Sequence, residues 1–153
     1  MTTQFDFSND EWEDLATAPV LVGMAVAKAE ESGFLGNRRE ARTLADTLAS
    51  QAESYPATSL IAQAATTDTS MQQEHFDSLL PEMLTTQAID TCKRVAASLA
   101  NRAQPDESED FRRWVLAVGR TVAEAAKEDG VLVSPGEQAV LGQVTAALGL
   151  VAP

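Results

Sequence analysis

The sequence predicts an all-α fold, a compact bundle of about seven or eight helices, on three observations. Alanine is abundant and runs of β-branched residues are scarce. Nearly every proline stands where a helix should begin or end. Apolar residues return at three- and four-residue intervals, and no stretch alternates apolar with polar as a half-buried strand does. With 153 residues, 44% of them apolar, the chain is expected to form a single domain over 1–153. That length buries roughly 70% of the unfolded surface.

The first helix opens at Ser8, where Ser8 and Glu11 form a capping box ahead of Trp12 and Leu15. Asp10, Glu11, Glu13 and Asp14 crowd the positive end of its dipole. Pro19 then opens a second helix reaching about Glu31, and Val20, Leu21, Val22, Met24 and Val26 leave it almost no polar face. A helix apolar all round is buried all round, so this one is expected at the centre. Gly33 stops it, with Phe34 placed for the apolar contact of a Schellman-type end. Asn37 and Glu40 signal the next start, and Leu44 and Leu48 carry that helix to about Glu53, where Tyr55-Pro56 breaks it.

A shorter helix is expected from Ala57 to Ala65, a turn over Asp68 to Ser70, and a helix from about Ser70 to Leu79. Leu84, Ala88, Cys92, Val95 and Leu99 mark the most regular stripe of the chain. Asp106 with Glu109 reads as a further capping box, opening a long helix through Phe111, Trp114, Val115, Val118 and Val122 to about Glu128. Gly130 ends it, Ser134 caps the last helix, and Ala139 to Leu148 completes the fold.

Two stretches repeat. Val22-Gly23 aligns with Val118-Gly119 and Ala29 with Ala125. After one extra residue in the later copy, Gly33 falls on Gly130, Leu35 on Leu132, Glu40 on Glu137 and Leu44 on Leu141. Such repetition indicates one helix–loop–helix piece used twice around a shared core, here over about 19–53 and 111–149. Glycine inside a helix costs about 1 kcal/mol against alanine. Gly23 and Gly119 are therefore expected where the two long helices approach each other most closely.

A net charge of −12 repels phosphate backbones and anionic lipid, so nucleic acid and membrane are poor partners. A basic protein partner, a divalent ion or simple solubility suits it better, and a homo-oligomer stays open. Cys92 is the sole cysteine, which excludes an internal disulfide and every cysteine-based zinc pattern. The acidic N-terminus lacks an apolar signal region, and Leu15–Ala27 is shorter than the ~20 residues a membrane span takes. The expected location is the cytoplasm. His75 is the sole histidine, no G-x-S-x-G surrounds any serine, and Cys92 sits on an apolar stripe. No glycine-rich nucleotide loop is present, so no cofactor and no catalysis are expected.

The stretch VAEAAKEDG, followed by SPGEQAVLGQV and a closing ALGL, resembles the TerB-like family of small all-helical bacterial proteins. The family pattern, an A-x-A-D-G-like helix end and then S/T-x-x-E, falls on Ala126, Asp129, Gly130, Ser134 and Glu137. The first copy departs from it, with Ser32 in place of the Asp and Asn37 in place of the Ser, and Tyr55 to Gln104 finds no match. The resemblance implies a non-catalytic interaction or stress-response module, with a divalent-cation site at the acidic loops. Glu128, Asp129 and Glu137 are the metal candidates.

Each candidate also has a structural explanation. Glu137 stands three residues after Ser134, with Pro135 at the first helical position, which is a capping box. A hard cation takes six or more oxygens, so backbone carbonyls would have to join these three carboxylates. Arg38, Arg39 and Arg42 form the dense basic cluster, suited to an anion at a helix N-terminus or to pairing with nearby carboxylates. Arg112 and Arg113 are expected to pair with Glu109 and Asp110. Trp12 and Trp114 read as core anchors, with Trp12 also a candidate partner contact. An interaction module would show an exposed apolar surface, and a small-ligand binder a pocket on which charged groups converge.

Overall fold

A computed structural model describes residues 2–29, 46–56, 59–125 and 135–150. Every regular element among them is helical and none is a strand. A 3-10 turn at Gln4–Asp6 precedes α1 (Asn9–Lys28). Then come α2 (46–53), α3 (Leu60–Ala65), α4 (Ser70–Asp77), α5 (Pro81–Arg102), α6 (Pro105–Ala125) and α7 (Pro135–Ala147). No helix among the described residues is long and apolar enough to cross a membrane.

Helix α1 begins as its sequence requires. The Ser8 hydroxyl accepts the Glu11 amide at 3.1 Å, and the Glu11 carboxylate accepts the Ser8 amide at 2.8 Å. It does not restart at Pro19, which lies inside one continuous helix. An internal proline removes the hydrogen bond to the Leu15 carbonyl and costs about 3 kcal/mol. The run Leu15 to Gly23 is buried throughout, and each fully buried leucine or valine returns roughly 1.5–3 kcal/mol. Packing outweighs the local break.

The apolar character of α1 puts it at the centre, as expected. It packs most extensively on α5, next on α6, and also touches α3, α4 and α7. The α5 stripe of Leu84, Ala88, Cys92, Val95 and Leu99 is wholly buried. Helix α5 lies outside the repeat, yet its unbroken stripe gives α1 its largest contact. The linking segments that would define the repeat, 30–45 and 126–134, lie outside the described residues. One connected core runs from Phe7 to Leu148.

Helices α1 and α6 do lie against each other, and Gly119 marks a close approach. A Cβ there would stand 2.7 Å from Val22 Cγ1 and 3.6 Å from Val26 Cγ2. Gly23 is buried in α1 beside Val22. The expected capping box at Asp106 is not the start of α6, because the helix already begins at Pro105, where the Ser108 amide donates to the Gln104 carbonyl at 2.9 Å. Proline's fixed φ suits the first helical position, and Asp106 and Glu107 then sit in the first turn. Helix α7 ends in a Schellman motif: the Leu150 amide donates to Thr145, the Gly149 amide to Ala146, and Gly149 takes φ +71°.

Candidate functional site

A groove of about 770 Å³ lies where α2, α3, α4 and Val20 of α1 meet. Its floor is made of small or aliphatic side chains, among them Leu48, Ala49, Ala52, Ala62 and Ala65. The rim is the segment Thr66 to Ser70, and local chemistry shapes it. The Thr66 and Thr67 hydroxyls donate to the Ala62 and Gln63 carbonyls at 2.9 and 2.8 Å, closing the end of α3. Trp12 Nε1 donates to Thr67 Oγ1 at 3.3 Å and ties this turn to α1.

Thr69 precedes α4 without capping it through its side chain; instead Oγ1 accepts from Gln73 Nε2 at 3.0 Å. Asp68 serves as the cap. Its carboxylate accepts the Ser70 amide at 3.0 Å and also the Ser70 hydroxyl. The hydroxyl bond first, and the amide bond second, hold the Asp68 carboxyl below its ordinary range. Among the described residues Glu53 and Asp68 are the charged members of the lining, and no described lysine, arginine or histidine joins them.

A smaller cleft of about 380 Å³ lies among α1, α4 and α5. Arg94 donates to both Asp14 oxygens, at 2.9 and 3.1 Å, and to Thr91 Oγ1 at 3.1 Å. Its hydrogen bonds to the Asp14 carboxylate raise the Arg94 pKa. Gln72 Nε2 donates to Glu13 Oε1 at 3.2 Å, and the exposed His75 stands on the wall. The Arg94–Asp14 ion pair joins α5 to α1 and the Gln72–Glu13 hydrogen bond joins α4 to α1, so the cleft fastens both helices to the central one.

Of the metal candidates, Glu137 is fully buried in the first turn of α7, the position the capping-box reading assigns it. A helix N-terminus is where an interior carboxylate is best tolerated. Glu128 and Asp129, and the anion candidates Arg38, Arg39 and Arg42, lie outside the described residues. Among the described residues no three His, Cys, Asp or Glu side chains gather as a metal site. Cys92 is sealed in the core, and burial pushes its thiol up to about 12, so it is protonated at neutral pH.

Arg113 pairs with Glu109 at 2.8 Å as expected. Arg112 does not pair with a carboxylate there. It reaches across to α7 and donates to the Leu148 carbonyl at 3.0 Å, where the negative end of a helix dipole favours it. Trp114 is a core anchor, edge-on to Phe111 at 5.4 Å, and Trp12 is half-buried against Phe7 at 6.0 Å.

Sequence reasoning did not single out the groove. Its rim reads only as a turn, and its floor is alanine from two short helices separated by a break. The one available signal was the run of hydroxyls and Asp68 between those alanines and α4. Comparison with protein-family models, with curated proteins and with solved structures finds no match for this chain.

Proposed function

We propose that this chain is a non-catalytic cytoplasmic interaction or stress-response module of TerB-like type, and that the 770 Å³ groove is its protein-docking surface. The observation that carries this reading is the groove itself, a broad apolar floor whose rim hydroxyls are already engaged in local structure. Docking surfaces on helical modules expose this kind of floor, because burying it supplies the affinity. The buried, protonated thiol of Cys92 is consistent with a role outside catalysis. The alternative of a divalent-cation or anion site rests on Glu128, Asp129 and Arg38 to Arg42, and gains nothing from Glu137, whose side chain is enclosed in the core.

Ala49 is exposed yet lines the groove, so Ala49→Trp fills the groove from its edge with little demand on the core. Ala97, exposed on α5 and outside the lining, gives the control Ala97→Trp. In quantitative capture from extract of the native host, a specific partner should be retained by the wild type and by Ala97→Trp and lost from Ala49→Trp. Equal capture by all three folded proteins would remove the groove from consideration.

A further inference from the structure

We infer that the groove takes a basic amphipathic helix from a partner protein, with apolar side chains on the alanine floor and lysine or arginine side chains directed at Glu53 and Asp68. The inference rests on the docking role proposed above and adds the chemistry of what docks.

Three observations carry it. Ala52, Ala62 and Ala65 keep the floor low, with the exposed Ala49 at its edge, leaving depth for leucine- or phenylalanine-sized anchors spaced at i, i+3 or i+4, and i+7. Part of the hydrogen-bonding capacity of the Thr66–Ser70 turn is spent on local structure. Thr66 and Thr67 donate to α3 carbonyls, Ser70 donates to Asp68, and Thr69 accepts from Gln73. A specific polar ligand depends on several convergent hydrogen-bonding groups, whereas a helix face depends mainly on apolar contact.

The charge completes the case. Glu53 and Asp68 edge the groove with no cation among the described lining residues, and the bonds to Ser70 hold the Asp68 carboxyl below its ordinary range. The protein's own Arg94, Arg102 and Arg113 are paired with Asp14, Glu11 and Glu109, and Arg112 holds the end of α7. Among the described residues the exposed rim carboxylates thus have no cationic partner, on a chain of net −12. Such a field draws in cationic partners and speeds their encounter.

The test uses two labelled synthetic helical peptides that share one leucine face, one flanked by lysines and the other by glutamates, read by fluorescence anisotropy with the full chain. The lysine peptide should bind and weaken with added salt, and the glutamate peptide should not bind. Glu53→Gln with Asp68→Asn should weaken binding by roughly fivefold, the sum of two exposed ion pairs. Ala49→Trp should abolish it. Glu82→Gln with Asp90→Asn removes as much charge from the exposed side of α5 and should leave it unchanged. Equal binding of both peptides, or equal weakening by the α5 pair, overturns the inference, because attraction would then be general. A dodecylammonium probe that binds where the lysine peptide does not would also overturn it, since a small amphiphile would then be the occupant. If the peptides ignore the groove while Ala49→Trp still abolishes capture from extract, the basic helix is wrong and the docking role stands. If Ala49→Trp alters neither measurement, both fall.

Discussion

Three glycines on two helices sit in different surroundings, and the difference fixes the sign of a single methyl group. At Gly136 a Cβ would stand 2.7 Å from the backbone oxygen of Ala29, which cannot move without moving the end of α1. At Gly119 the obstacles are Val22 Cγ1 at 2.7 Å and Leu141 Cδ2 at 3.1 Å, both side-chain tips, although Val22 is fully buried and stiff at χ1. At Gly142 nothing lies within 4 Å. Helix propensity alone favours alanine by up to about 1 kcal/mol at each site, and overpacking costs about 1–3 kcal/mol. Urea unfolding should therefore rank Gly142→Ala above wild type, Gly119→Ala somewhat below it and Gly136→Ala lowest. A stabilised Gly136→Ala would show that α7 does not press on α1. Cys92 adds a pH dependence. Its thiol moves from an ordinary value of 9.0 to about 12 on folding, so the unfolded chain loses the proton first. The contribution is intact below pH 9 and drains away as pH rises toward 12, by roughly 4 kcal/mol across that window. Cys92→Ala should flatten the fall in stability over that range relative to wild type, and equal slopes would contradict the burial.

Among the helices, legibility followed how far local rules and packing agree. The α5 stripe was read residue by residue because a three- and four-residue period is a direct image of one buried face. The Ser8 cap was equally plain, since its partners lie within one turn. Pro19 misled because proline's meaning is local, while the burial that overrides it comes from α5 and α6, far along the chain. Asp106 misled for a smaller reason: Pro105 was available one residue earlier and proline prefers the first position. The last helix end invites a coupled test. Gly149 at φ +71° and Arg112 on the Leu148 carbonyl stabilise the same terminus of α7. Gly149→Ala should cost about 1–2 kcal/mol and Arg112→Met about 1.5–3 kcal/mol, with the double variant losing less than the sum. Hydrogen exchange at the Gly149 and Leu150 amides reads the fraying, and strict additivity would mean the two act independently.

For the molecule as a whole, the fold class was visible in the sequence and the candidate site was not. A groove assembled from Val20, the alanines of α2 and α3 and the turn before α4 has no spacing of its own, because its parts are adjacent only after folding. The acidic balance was legible at once, and it is what gives the groove a preferred kind of visitor. The central place of α1 has a further consequence during synthesis. Helix α1 is complete at Lys28, whereas its main partner α5 ends only at Arg102. At bacterial or eukaryotic elongation rates the interval is roughly 4–15 s. Throughout that time the apolar run Leu15 to Gly23 waits without its largest contact and with only the short α3 and α4 to shelter it, so the nascent chain carries a sticky surface until its fifth helix arrives.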